Sequence, residues 1–336
     1  MTDLSKYTTL HVGGPAQKIV HARTEAELIA TVRDADEAGQ PILILGGGSN
    51  MLVADEGFSG TVIRVETSGN SYEIDACSGG MLQVSAGESW DEFVAFTIEK
   101  GLANLECLSG IPGTIGGAPI QNIGAYGHEV SEVIARVRAY DRREKSVKTF
   151  AASDCKFSYR SSRFKEEPGR WVILDLTFQL RRGEKSLPIQ YAELANALGL
   201  KIGDRAPIKD IREAVLVIRS HKGMLAGDSW SAGSFFTNPI LSAELASQLP
   251  ESAPRWPLSD GRVKTSAAWL MENAGVQKGD RYEGAAISSK HVLALTNTGN
   301  AKAQDLIELA RSARSKVEAA FGITLAAEVQ LIGVTL

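Results

Sequence analysis

Two glycine-rich loops constrain this chain more than any other feature. The first, Pro41-Ile-Leu-Ile-Leu-Gly-Gly-Gly-Ser-Asn50, ends an apolar run; the second, Ser109-Gly-Ile-Pro-Gly-Thr-Ile-Gly-Gly-Ala118, joins apolar segments. Glycine permits positive φ and lets a backbone come close to a ligand. Successive bare N–H groups then form a concave nest for an anion. Either loop alone reads equally well as a tight turn. Two in one chain suit a pyrophosphate of the kind a dinucleotide carries. A Rossmann crevice does not match, because Met51 stands where its third glycine belongs and Asp55-Glu-Gly-Phe-Ser-Gly60 breaks the helix that should follow. The second loop lacks Gly-Lys-Ser/Thr, which excludes an NTPase phosphate loop. The expected cofactor site is therefore built of loops and strands, without a helix N-terminus as its anchor.

At 336 residues the chain is too long for one ordinary core, and two or three domains are expected. A net charge of -4 offers no basic footprint for nucleic acid. No apolar run approaches the ~20 residues of a membrane helix. Met1-Thr-Asp-Leu-Ser5 has neither a basic stretch nor an apolar core, so a cytoplasmic protein is expected. Cys77, Cys107 and Cys155 are odd in number and form no C-x-x-C, so they read as small core residues rather than a disulfide or zinc framework. The five histidines show no metal-ligand spacing.

Thr24 with Glu27 predicts a capping box opening a helix on Leu28, Ile29, Val32 and Ala35. Ser89 with Glu92 predicts a second, on Phe93, Val94, Thr97 and Ile98. Strands are expected at 42–45, 61–65, 72–76, 81–86, 133–140 and 172–180. Ile208, Ile211, Val215 and Ile218 have helical spacing. A strand at 292–297, a helix at 303–321 and a strand at 325–334 predict a β-α-β run and a separate α/β unit.

The loops Leu45-Gly-Gly-Gly-Ser-Asn50 and Gly110-Ile-Pro-Gly-Thr-Ile-Gly-Gly-Ala-Pro-Ile-Gln-Asn-Ile-Gly-Ala-Tyr-Gly127 resemble the FAD-binding loops of the UDP-N-acetylenolpyruvoylglucosamine reductase (MurB) family, type I. Phe157-Ser-Tyr-Arg-Ser161, Ala232-Gly-Ser-Phe-Phe-Thr-Asn-Pro239 and Ala327-Glu-Val-Gln-Leu-Ile-Gly333 agree, in the family's order along nearly the whole chain. Its Asn-Thr-Phe stands here as Thr8-Thr9-Leu10, and its Ala-Gly-Trp-Leu as Ala267-Ala268-Trp269-Leu270.

The resemblance implies an α+β fold: a two-lobed vanillyl-alcohol-oxidase/PCMH-type FAD-binding module plus a smaller α/β substrate-binding domain. Lobe 1 would take residues 1–67, lobe 2 residues 68–218 with the C-terminal strand 327–336, and the substrate domain residues 219–326. It implies non-covalent FAD, held by Gly46, Gly47, Gly48, Ser49, Asn50 and Met51 and by Gly110, Ile111, Pro112, Gly113, Thr114, Ile115, Gly116 and Gly117. Gln121, Asn122, Gly124, Ala125 and Tyr126 would border the flavin. NADPH would be the reductant and a UDP-sugar the substrate of a monomeric enzyme in peptidoglycan precursor synthesis. Hydride would pass from flavin N5 to C3 of the enolpyruvyl group, and C2 would take a proton.

Taken alone, Arg160 reads as half of a surface ion pair, Ser234 as a turn serine and Glu328 as the wet face of a strand. The resemblance makes Arg160 the enolate stabiliser, Glu328 its assistant and Ser234 the proton donor. Tyr159, Tyr191, Lys222, Asn238 and His291 become substrate contacts, with Lys222 aimed at the UDP diphosphate. Two other readings compete: a flavin oxidase or dehydrogenase of another substrate, which would keep both glycine loops but lose the set Arg160, Ser234 and Glu328, and a UDP-sugar-binding protein that has lost catalysis.

Overall fold

The structure is a computed structural model that describes residues 2–75 and 79–336. Cys77, and Ala76 at the end of an expected strand, lie outside the described residues. The chain forms two compact units, neither continuous in sequence: one chiefly Ala16–Gly47 with Ser59–Ala226, the other Asp3–Pro15, Gly48–Phe58 and Gly227–Leu336.

The first unit is built on an antiparallel sheet in the order Ser146–Ala151, Ile134–Asp141, Trp171–Arg182, Gly79–Ser85, Asn70–Asp75. Its central strand is buried on both faces from Val172 to Phe178, so it reads as an unbroken run rather than an alternation. Phe178 meets Phe93 at 4.9 Å and Trp90 at 6.2 Å, both on the helix Trp90–Glu99. In a smaller sheet, Ile42–Leu45 runs parallel to Phe58–Val65. The helix Glu25–Glu37 starts on the predicted capping box and buries Leu28, Val32 and Ala35. A third cluster joins the helices Ala192–Ala197 and Ile208–His221 through Leu194, Ile211, Val215 and Ile218, with Cys107 beside them. Cys155 is buried in the main core.

The second predicted capping box does not form. Ser89 precedes the helix, yet its side chain makes no cap bond. Its backbone is instead bridged to Thr114, and Trp90 N–H donates to Gly113 O at 3.1 Å. The glycine loop occupies the place of a capping side chain.

In the second unit, Ser231–Ser234, Ala294–Asn297, Ala285–Ile287 and Arg281–Tyr282 form an antiparallel sheet in that order. The helix Ala303–Phe321 runs as expected to Gly322 at φ 66° and buries Leu306, Ile307 and Ala310. The expected β-α-β run is not one. Ala294–Asn297 is flanked on both edges, so the strand after the helix pairs elsewhere: Gln330–Ile332 runs parallel to Met51–Val53. The expected strand 325–334 shortens because the chain first bonds Phe235, through Glu328 N–H, and then Asn50, through Gln330 N–H. This pairing draws residues 48–58 and 327–336 into the second unit, whereas the sequence division assigns them to lobes 1 and 2. Residues 219–226 stay with the first unit, which includes the end of the helix Ile208–His221.

Candidate active site

The two glycine loops meet within the first unit. A Cβ on Gly46 would lie 2.5 Å from Thr114 Oγ1, and one on Gly47 would lie 2.8 Å from Gly113 Cα. Only bare backbone can pass there. Gly48, in the second unit, is locked separately: its φ is 62°, and a Cβ would sit 1.8 Å from the Tyr7 carbonyl oxygen.

Not all the loop amides expected to face an anion are available. Gly110 N–H donates to Asp91, Ile115 to Glu88 O, Gly116 to Ala86 O and Gly117 to Thr114 O. Ile115 is also a fully buried core side chain. These bonds fix the shape of the second loop. Among the described residues, no acceptor takes the N–H of Gly46, Gly47, Gly48, Ile111, Gly113 or Thr114. Within the first unit the loop amides still open to an anion are therefore those of Gly46, Gly47, Ile111, Gly113 and Thr114.

Gly110 is held from both ends of its residue. Its N–H lies 2.5 Å from Asp91 Oδ1, and its carbonyl accepts from Arg219 Nε at 3.1 Å. Arg212 braces Asp91 with a two-pronged pair at 2.6 and 2.9 Å. Burial pushes the Asp91 carboxyl up, but Arg212 and the Gly110 amide outweigh it and leave it below its usual range. Burial lowers Arg219. Gly110 itself has φ 70°, with no space for a Cβ beside Leu216 and Leu225. None of Asp91, Arg212 or Arg219 was singled out in the sequence. Their signal was there: two arginines seven apart lie on one stripe of a helix.

Three non-glycine residues adopt left-handed backbone around one hairpin: Asn122 at φ 46°, Tyr126 at 52° and Arg160 at 52°. Such conformations cost about 1–3 kcal/mol each and persist where the surroundings impose them. The strands Gly124–Ala125 and His128–Glu129 are joined by the turn Tyr126-Gly127. Arg160 Nη2 donates to Gly124 O at 2.8 Å and Nη1 to Asn122 O at 3.4 Å. Asn122 is fully buried, and its carboxamide is committed to Glu129, Ser158 O and Ser131 N–H. Its side chain therefore shapes the hairpin. Tyr159 lies under the Arg160 guanidinium at 5.4 Å. Gln121 and Ala125 are half-buried on the same segment.

Tyr126 and Tyr191 pack edge to face at 5.8 Å. Burial raises both phenols, Tyr126 to about 12, so both are neutral donors at neutral pH. Lys222, at the end of the helix Ile208–His221, pairs with Glu193 at 2.5 Å.

In the second unit, Ser234 ends a strand opposite Ala294, after Gly233 at φ 71°. The next residue, Phe235, accepts the Glu328 N–H at 2.8 Å, and Asn50 Nδ2 donates to Glu328 O at 3.3 Å. Ser234, Glu328 and Asn50 are thus neighbours in the fold. His291 approaches from the other side: its Nδ1 accepts Leu293 N–H, and Leu293 O takes Phe235 N–H. Asn238 Oδ1 accepts Ala267 N–H at the start of the helix Ala267–Asn273. Met51 is a buried strand residue, with only its backbone at the loop. Ser49, Ile111 and Pro112 are half-buried on the loops. Among the described residues, no group of His, Cys, Asp or Glu side chains is placed to hold a metal ion.

Residues 226–332 match the family model of the UDP-N-acetylenolpyruvoylglucosamine reductase C-terminal domain, and residues 16–149 match that of an FAD binding domain. The chain is 53% identical to the UDP-N-acetylenolpyruvoylglucosamine reductase of Cutibacterium acnes, covering 99% of this chain and 90% of that one. It is 50% identical to the protein of that name from Thermobifida fusca, over 99% and 97%. The solved UDP-N-acetylenolpyruvylglucosamine reductase of Thermus caldophilus superposes with a TM-score of 0.69 at 26% identity, over 98% and 97% of the two chains. The facing glycine loops and the Ser234–Glu328 neighbourhood therefore sit in a chain that belongs to the UDP-N-acetylenolpyruvoylglucosamine reductase family.

Proposed function

We infer that this chain is an FAD-dependent oxidoreductase that reduces UDP-N-acetylenolpyruvoylglucosamine to UDP-N-acetylmuramate in peptidoglycan synthesis, with NADPH as the electron source. The observation that carries the flavin assignment is the apposition of Gly46 and Gly47 to Gly113 and Thr114, where a side chain has no space. The residues fit FAD: bare amides of Gly46, Gly47, Ile111, Gly113 and Thr114 suit a diphosphate that comes close to backbone. When bound, FAD supplies the hydride chemistry.

The chain's own groups do the rest. Reduction at C3 throws negative charge onto C2 and the adjoining carboxylate. Arg160 answers it, because a guanidinium stays charged and pairs with carboxylate as a fork. The carbonyls of Asn122 and Gly124 aim it, and its strained backbone marks a position imposed by the fold. Ser234 Oγ delivers its proton to C2. A hydroxyl is a weak acid, so positioning must compensate, and Ser234 sits on a strand end braced by the Phe235–Glu328 bond. Glu328 assists Arg160 in stabilising the charge that builds on C2 and its carboxylate. Tyr191, Lys222, Tyr159, Asn238 and His291 bind the UDP-sugar, with Lys222 on its diphosphate. Residues 16–149 and their continuation hold the flavin, and residues 226–332 serve the substrate. The enzyme works as a cytoplasmic monomer. Among the described residues, no helix is long and apolar enough to cross a membrane.

Ser234→Ala tests the assignment. Under anaerobic conditions NADPH should bleach the visible flavin band of the variant at near the unmodified rate. Recovery of the band on adding the enolpyruvyl substrate should slow by at least ~10²–10⁴-fold, the contribution of a placed general acid. Equal slowing of both phases removes Ser234 from the proton transfer.

A further inference from the structure

We propose that Glu193 is an internal stand-in for the substrate diphosphate: it occupies Lys222 in the ligand-free protein and must be displaced before a UDP-sugar binds. The inference rests on the assignment of Lys222 to the diphosphate. Lys222 Nζ lies 2.5 Å from Glu193 Oε2. Tyr126 and Tyr191, packed edge to face, both lie close enough to Glu193 for its charge to act on their hydroxyls. The Lys222 ammonium holds that carboxylate directly, on the short helix that starts after Tyr191. A carboxylate and a phosphate offer a lysine the same thing, anionic oxygens that accept charge-assisted bonds.

Lys222 does not need Glu193 to hold its place. It follows the last turn of the helix Ile208–His221, where carbonyl ends favour a cation, and its own N–H caps Ile218 O. Glu193 rides on the short helix that begins after Tyr191, in the segment containing the exposed tyrosine. The pair is open to water, with side chains 29% and 40% exposed, so its grip is weak enough for a ligand to break. Glu193 therefore sets a threshold. A ligand must bring more negative charge to Lys222 than one carboxylate does.

The test is calorimetric titration of UDP into the FAD-loaded protein and into Lys222→Ala, Glu193→Gln and the double variant. Lys222→Ala should weaken UDP at least tenfold. Glu193→Gln should tighten it by about two- to fivefold, the worth of an exposed ion pair. In the Lys222→Ala background Glu193→Gln should change nothing, since the contested cation is gone. A merely structural Glu193 would do the reverse and weaken binding when replaced. If Lys222→Ala leaves UDP binding intact, the diphosphate assignment falls and the proposal with it. If Lys222→Ala weakens binding but Glu193→Gln fails to tighten it, or tightens it equally without Lys222, competition alone is overturned.

Discussion

At the residue scale, the chemistry depends on side chains whose positions are imposed rather than preferred. Arg160 sits at φ 52° in a two-residue turn closed by the reciprocal Ser158–Ser161 backbone bonds. Its identity was readable, from Tyr159-Arg-Ser-Ser-Arg163, only through resemblance. Its strain and its two carbonyl anchors were not, because Asn122 and Gly124 lie nearly forty residues earlier. Arg160→Lys keeps the charge and loses the fork. Substrate-dependent turnover should drop by roughly 10²–10³-fold, the usual loss on removing a charge-stabilising donor. NADPH bleaching of the flavin should stay near normal. A kcat within a factor of three of the unmodified enzyme would take Arg160 out of the mechanism.

Among elements, the helix Ile208–His221 does more than fill space. Its apolar residues were legible from their spacing, and Ile208, Ile211, Val215 and Ile218 are all buried. Its arginines are the structural surprise. Arg212 reaches Asp91 across 121 residues of sequence, and Arg219 reaches the Gly110 carbonyl. Asp91→Asn should leave Arg212 without its counter-charge and loosen the second glycine loop. FAD release, followed by flavin fluorescence on dilution, should be at least tenfold faster than in the unmodified protein. The pH dependence has a definite sign. A carboxyl whose folded pKa lies below its ordinary 3.8 stabilises the fold fully above about 3.8 and loses that contribution as pH falls through the lower folded value. Melting of the FAD-loaded protein should therefore show an acid limb below about pH 4 that is reduced in Asp91→Asn. Identical acid limbs would show that the clamp does not depend on the Asp91 charge.

Over the whole molecule, each unit has its own core, and each core is assembled from distant stretches. Phe178 closes the core of the first unit against Trp90 and Phe93. Phe178→Ala should destabilise that unit by about 3–5 kcal/mol, the range for deleting a buried aromatic. Saturating FAD should restore part of the loss, about 2.7 kcal/mol at a hundredfold excess over its Kd, because a ligand that binds only the native state draws the equilibrium toward it. Chemical denaturation followed at the tryptophans, with and without FAD, measures both. Absence of rescue would mean that the glycine loops of this unit do not hold the flavin.

What the sequence determined by itself was local. Glycine where no Cβ fits, the Thr24–Glu27 cap, helical spacing at 208–218 and the stop at Gly322 each depend on a few neighbouring residues, and each is found in the fold. Ser89 stands at the N-cap yet makes no side-chain cap bond, because its backbone is bridged to Thr114. The tertiary structure alone decided that the last strand joins Met51–Val53, that Glu328 lies beside Phe235, and that Asp91 and Arg219 grip Gly110. Those outcomes depend on which strand edge or carbonyl is still unpaired when distant segments meet. A bond between residues a hundred positions apart leaves no periodicity in either of them.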